Sequence, residues 1–236
     1  MKKQHNFIDL FCGAGGFSLG LKAAGFNCVG AYDNLDPAIK THKKNFKNTK
    51  IYSKSIDDYS NPDIKEIFNN TKVDLIIGGP PCQGFSSIGK QSYNDKRNDL
   101  IFEFGRIVKL IKPNFFIMEN VSGLIHDKNV FYLNRLKKFF ISSGYRIDYK
   151  LLNAADYGVP QLRKRAFFIG NNLGIDPEFL FPPKINKDYI TVEDAIFDLP
   201  FIKSGQGEFE TIYKKKPSTE YQKKMRAGVK KLYNHI

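Results

Sequence analysis

Short apolar runs punctuate the chain at a regular pitch, and segments with helical spacing separate them. Residues 7–11 (Phe-Ile-Asp-Leu-Phe) form one such run, closed by Gly13-Ala14-Gly15-Gly16, which reads as a buried strand leading into a glycine turn. Phe17, Leu21 and Ala24 then recur at helical spacing. A second run, Cys28–Tyr32, ends at Asp33, and Asp36-Pro37 is a helix start with Asp as cap and Pro at the first helical position. The alternation continues with a strand at 73–77, a helix at about 98–111, a strand at 114–119, a helix at about 128–142, and strands at 145–151 and 165–170. Such alternation predicts an α/β fold, a mostly parallel, doubly wound sheet. Leu75-Ile76-Ile77 and Phe115–Met118 suit central strands covered on both faces. Beyond about 171 no period is sustained, and Pro182-Pro183, Leu199-Pro200 and Ser204-Gly205-Gln206-Gly207 interrupt the chain. The expected organisation is one domain over 1–175 and the start of a small second one over 176–236.

Composition narrows the class. A chain of 236 residues with 42% apolar and 26% charged residues can bury a full core. No apolar run approaches the roughly 20 residues of a membrane span, and the N-terminal run is too short for a secretory signal. Three cysteines are too few for a disulfide framework, so a reducing, cytoplasmic setting is expected. The net charge is +13, with nine basic and three acidic side chains in residues 203–236 alone. A polyanionic partner such as nucleic acid suits that excess, because neutralised phosphates release counterions. A lysine-rich proteome would give the same balance.

Candidate chemistry gathers where strands end. A glycine turn such as Phe11–Phe17 lets a ligand approach bare backbone at a helix N-terminus. Ser18 stands where the third glycine of a dinucleotide fingerprint would fall. Asp33, at the end of the next strand, can take the hydroxyls of a ribose. These residues alone leave NAD, S-adenosyl-L-methionine and a plain tight turn open. The loop Gly78-Gly79-Pro80-Pro81-Cys82-Gln83-Gly84-Phe85-Ser86 is sharper, because it carries Cys82 at its middle. A thiol in a polar loop near basic groups is partly thiolate and nucleophilic, whereas Cys12 and Cys28 sit in apolar strand contexts. Glu119 ends the strand from 114 and suits a general acid. Arg163 and Arg165, two apart in an extended segment, are expected to share a face, as an anion anchor or as a solvated basic edge. No spacing suggests a metal site.

In this order, over about 5–170, these segments resemble the DNA (cytosine-5)-methyltransferase family. The resemblance implies a Rossmann-like S-adenosyl-L-methionine-dependent methyltransferase fold acting on double-stranded DNA, most plausibly as the modification arm of a restriction–modification pair. It implies that Phe11, Gly13 and Gly15 contact the methionine part of the cofactor, that Asp33 binds the ribose, and that Pro80 and Leu100 line the cofactor site. Ser55-Ile56 fall where the family's third motif reads adenine, with Asp57 one step late. Gly79–Ser86 matches the nucleophile loop, so Cys82 is carried over as the nucleophile that adds to C6. Glu119, in Glu119-Asn120-Val121, is implied to act at N3 on a flipped-out base. Gln161-Leu162-Arg163-Lys164-Arg165 matches the Gln-x-Arg-x-Arg motif, with Arg165 steadying the cytosine and Arg163 the loop or a phosphate.

The family's ninth motif and its tenth, a Gly-Asn helix, have no counterpart in the 71 residues after Arg165. The expectation is therefore a chain inactive by itself that needs a complementing C-terminal subunit. The competing readings are a catalytically inactive truncated or split subunit that binds DNA, the family's tRNA-methylating branch, and a nicotinamide-dependent oxidoreductase.

Overall fold

The computed structural model describes residues 4–81, 99–185 and 188–233. Two compact units divide the chain: Met1–Leu151 with Arg165–Pro182, and Leu152–Lys164 with Pro183–Ile236.

The first unit is built on a seven-stranded sheet to which the strand alternation points. Its strands are β1 (Asn6–Leu10), β2 (Asn27–Tyr32), β3 (Ile51–Tyr52), β4 (Leu75–Gly78), β5 (Phe115–Val121), β6 (Arg146–Asn153) and β7 (Lys164–Asn171). The order across the sheet is β3-β2-β1-β4-β5-β7-β6. β1 pairs in parallel with β2 and β4, β2 with β3, and β4 with β5, while β7 runs antiparallel to β5. The chain therefore builds outward from β1 in one direction, then returns to build outward in the other. The C-terminal ends of β1 and β4 flank this reversal, where open α/β sheets bind their ligands.

Alternation along each strand separates two apolar layers. Ile8, Leu10, Ile76, Phe116, Met118 and Phe168 join one large cluster with Ile101, Phe104, Ile107 and Val108 of α4 (Leu100–Ile111) and Leu133, Leu136 and Phe140 of α5 (Val130–Ser142). Phe116 stacks on Phe140 with ring centroids 4.2 Å apart. Each such side chain contributes roughly 1.5–3 kcal/mol by leaving water. The opposite layer is smaller: Phe7, Leu75 and Ile77 pack with Phe17 and Leu21 of α1 (Gly16–Ala23), and with Phe26. Here the expectation of a central strand covered on both faces is corrected. Phe115 and Ile117 of β5 are only half-buried, because they line an open groove of 330 Å³ with Leu21, Phe26, Leu75 and Ile169.

Some elements escape the apolar pattern. α2 (Asp36–Asn45) starts one residue earlier than expected, with Leu35 as cap. β3 has two residues, and α3 (Asn61–Ile67) buries only Ile64, yet Ser60 and Asp63 make a reciprocal capping box at its start. The second unit consists of short pieces of this kind. α6 (Val192–Ile196) and α7 (Glu220–Arg226) each begin with a capping box, Thr191/Asp194 and Thr219/Gln222. Arg226 forks onto the buried Asp198 at 2.9 and 2.8 Å and reaches the Ala195 carbonyl. A two-stranded antiparallel sheet, β8 (Glu210–Ile212) with β9 (Lys231–Tyr233), completes it. No described helix is long and apolar enough to cross a membrane.

Candidate active site

The ends of the parallel strands and the start of the antiparallel β7 bring most of the described sequence-predicted residues of the first unit to one edge of its sheet, and Leu100 opens α4. The turn after β1 has three left-handed positions in five residues: Phe11 (φ 58°), Gly13 (54°) and Gly15 (98°). For Phe11 that conformation costs roughly 1–2 kcal/mol, so surrounding contacts must hold it. The Gly13 N–H donates to Asp33 Oδ2 at 2.8 Å, the Gly15 N–H to the Cys12 carbonyl at 2.9 Å, and the Cys12 N–H to the Tyr32 carbonyl at 2.9 Å. Gly15 is fixed as glycine twice over, by its positive φ and because a Cβ there would collide with the rings of Phe46 and His42 on α2. A Cβ on Gly13 or Gly16 would meet nothing within 4 Å. Open space therefore lies beside bare backbone at the N-terminus of α1, a fit for the amino-acid end of a cofactor.

Asp33 is half-buried, and its other carboxylate oxygen accepts from the Leu35 N–H at 2.9 Å. Each oxygen keeps lone-pair capacity for a hydroxyl. Next to it Tyr32 stacks on Tyr52 (4.5 Å between centroids, 11° between planes), with Tyr59 edge-on. Ser55 precedes a 3-10 turn, Ile56–Asp58, in which Ile56 is buried in the core cluster and Asp57 is exposed. Arg106 of α4 ties this turn down through the carbonyls of Ile56 and Tyr59.

At the end of β4, a Cβ on Gly78 would collide with the Leu10 carbonyl of β1, so glycine sets the close approach of the two strands at the reversal point. Pro80 is buried, and its carbonyl accepts from the Asn120 side-chain amide at 3.1 Å. Cys82 lies outside the described residues. Glu119 projects from β5 with its carboxylate about one-fifth exposed, accepting from Arg165 Nε at 3.0 Å. Its other oxygen lies close to Gly79, 3.3 Å from where a Cβ would stand. The register explains the ion pair: Val121 faces Arg165, and Glu119 faces Phe167. Leu100 opens α4 and is half-buried.

β7 starts at Lys164, so Arg163 precedes the strand; it is exposed, and its N–H donates to the Asn153 side chain at 3.1 Å. Burial raises the Cys12 thiol far above its ordinary range and Cys28 to about 11, which leaves both unreactive as thiols. Among the described residues no group of His, Cys, Asp and Glu could hold a metal ion.

Sequence reasoning missed one part of this edge. Gly15 has no side chain with which to cap α1, and the cap comes instead from β1. Asp9, fully buried, accepts the Ser18 N–H at 3.1 Å and the Ser18 hydroxyl at 2.6 Å on a single oxygen, Oδ2. His42 Nε2 meets the same hydroxyl at 3.3 Å. An acidic residue inside an apolar strand, Phe-Ile-Asp-Leu-Phe, was the available signal.

The chain is 40% identical over 238 residues to the type II methyltransferase M.DdeI of Desulfomicrobium norvegicum, covering 98% of this chain and 57% of that protein. Among solved structures, an E. coli prophage-encoded protein described as a DNA modification methyltransferase superposes with a TM-score of 0.77. It shares 37% identity and covers 94% of this chain and 64% of its own. The DNMT2 of Spodoptera frugiperda follows with a TM-score of 0.59 and 27% identity, covering 80% of this chain and 55% of its own. The chain thus spans little more than half the length of the curated relative that it matches. The sequence profile of C-5 cytosine-specific DNA methylases matches residues 5–235, and the chain belongs to that family.

Proposed function

We propose that this protein transfers a methyl group from S-adenosyl-L-methionine to C5 of cytosine in double-stranded DNA, as the modification arm of a restriction–modification system in the cytoplasm. The observation that carries the reading is the juxtaposition of the glycine turn, Asp33, Pro80 and the Glu119–Arg165 pair at one edge of the sheet, beside the point where strand order reverses. In the same reading, residues 1–175 take cofactor and chemistry, and the basic region 176–236 meets the DNA.

The cofactor supplies an electrophilic methyl group, held by the backbone of Phe11, Gly13 and Gly15, by Asp33, and by Ser55, Ile56, Pro80 and Leu100. Cytosine C5 is a weak nucleophile, so the protein must first enrich the ring. Cys82, as thiolate, adds its sulfur to C6, while Glu119 donates a proton at N3 to neutralise the charge that arrives there. C5 then takes the methyl group, its proton leaves to a base, and elimination restores the C5–C6 double bond and the Cys82 thiolate. Arg165 holds the Glu119 carboxyl in place, and Arg163 contributes positive charge toward a phosphate. A duplex hides these atoms, so the base is flipped out at a cost of a few kcal/mol.

The same proposal includes the part of the relatives' length that this chain does not match, whether it continues this polypeptide or is carried by another. The test is transfer of a labelled methyl group to duplex DNA and, in parallel, to tRNA, run without and with that part supplied as a polypeptide, followed by digestion to nucleosides. Label in 5-methylcytosine, absent with Cys82→Ser, supports the reading. Label confined to tRNA, or transfer that survives Cys82→Ser, overturns it. Full turnover by the chain alone removes the complementing subunit.

A further inference from the structure

The buried group Asp9–Ser18–His42 touches none of the space beside the glycine turn, yet it holds both that turn and the helix behind it. We propose that Asp9, acting through Ser18 and braced by His42, is a positioning residue for the cofactor, so that the charge on Asp9 sets how much of the protein has its turn ready to bind. This rests on the reading above that the turn holds the cofactor.

The geometry is specific. Two carboxylates anchor the turn from its two sides: Asp33 takes the Gly13 N–H, and Asp9 takes the N–H and the hydroxyl of Ser18, the third residue of α1. Ser18 is 1% exposed and His42 is fully buried, and the His42 and Phe46 rings lie against Gly15 from α2. Since the Ser18 hydroxyl donates to Asp9, it accepts from His42 Nε2–H. That tautomer leaves Nδ1 as a bare acceptor, and Nδ1 is buried without a hydrogen-bond partner among the described residues. Asp9 Oδ1 is orphaned in the same way. A carboxylate kept in the sheet with one oxygen unsatisfied is costly, and such costs concentrate where function needs them.

The charge state is poised to change near neutrality. Burial is the largest influence on Asp9 and raises it to about 7, the Ser18 hydrogen bonds pull it down, and the like charge of Asp33 adds to the rise. The other groups facing it do not titrate in competition. Cys12 in the turn and Cys28 on β2 are pushed up by burial, and burial pushes His42 on α2 down, toward its neutral form. Ionised Asp9 makes charge-assisted bonds to Ser18, roughly twice as strong as neutral ones. Protonation loosens them, and apparent affinity falls with the fraction of turns that remain competent.

The experiment measures binding of S-adenosylhomocysteine by calorimetry from pH 6 to 8.5, for the wild type, Asp9→Asn and Ser18→Ala. The ligand's own amino group titrates near pH 8 and does so identically for all three proteins, so differences between profiles report the protein. The expected result is a wild-type affinity that falls by about three- to tenfold from pH 8 to pH 6 relative to Asp9→Asn. Asp9→Asn should bind at every pH as weakly as the wild type does at pH 6, and Ser18→Ala should lose most of the pH step. Thermal melts add a readout that needs no ligand. A folded value above the unfolded one means the native state holds the extra proton between about pH 4 and 7, so stability falls as pH rises through that window, and Asp9→Asn should flatten this slope. A wild-type profile that coincides with those of Asp9→Asn and Ser18→Ala overturns the inference while leaving the cofactor site intact. A wild type that binds at no pH overturns the reading of the site, and the inference with it.

Discussion

The turn after β1 and the corner after β5 face the same edge of the sheet, but they are held in opposite ways. The turn is fixed by carboxylates aimed at backbone N–H groups: Asp9 has no exposed surface, and both oxygens of the half-buried Asp33 are engaged. At the corner, Glu119 pairs with Arg165 through side chains that are both partly open to solvent, next to the Asn120 bond to the Pro80 carbonyl. Backbone-directed bonds in a dry layer give a rigid shape, suited to a ligand that must be gripped the same way in every cycle. An ion pair between two side chains can open, and Glu119 has to exchange partners if it is to meet a base that enters only after flipping.

That contrast predicts that damage to the two places separates chemistry from binding. The larger effect belongs to the corner. Glu119→Gln keeps an acceptor for Arg165 but has no proton to give, and methyl transfer at saturating cofactor should fall by about 10²–10⁴, the usual worth of a positioned acid. Affinity for S-adenosylhomocysteine should stay within about twofold of the wild type, as calorimetry on the same preparation would show. An unchanged rate would remove Glu119 from the chemistry. The smaller effect belongs to the turn. Asp33→Ala should weaken the cofactor by about 1.5–3 kcal/mol, the loss of charge-assisted hydrogen bonds, with kcat nearly restored once the cofactor saturates. Unchanged affinity would show that Asp33 is only an anchor for Gly13. If both variants lost rate and affinity together, the separation between the two places would not hold.

Much of the sheet was legible in the sequence because its strands are apolar runs closed by glycine or by an acid. β1, β2, β4, β5 and the helices α4 and α5 lie within one or two residues of their expected bounds. Phe115 and Ile117 were misjudged for a physical reason: an apolar run states what a residue prefers, not whether a neighbour covers it. The second unit was illegible to periodicity because its elements are three to seven residues long. Its capping boxes were readable, and Thr191-x-x-Asp194 and Thr219-x-x-Gln222 would have placed both helices. At the candidate site, Gly13, Asp33 and Glu119 stand out in the sequence because each sits in a local motif. Asp9 and His42 do not, since their contacts with Ser18 exist only once β1, α1 and α2 are packed together.

The central claim is that Cys82 adds to C6 of cytosine on the way to methylation at C5, and a mechanism-based trap tests it most directly. Duplex DNA carrying 5-fluorocytosine is incubated with S-adenosyl-L-methionine, the protein and a polypeptide supplying the unmatched part of the relatives' length, then resolved under denaturing conditions. Fluorine at C5 leaves no proton to abstract, so a thiolate that has added to C6 cannot be eliminated. The account predicts a covalent protein–DNA complex that requires the methyl donor, maps by mass spectrometry to the peptide containing Cys82, and is absent with Cys82→Ser. A complex that forms equally well with Cys82→Ser, or that maps to Cys12 or Cys28, would contradict it.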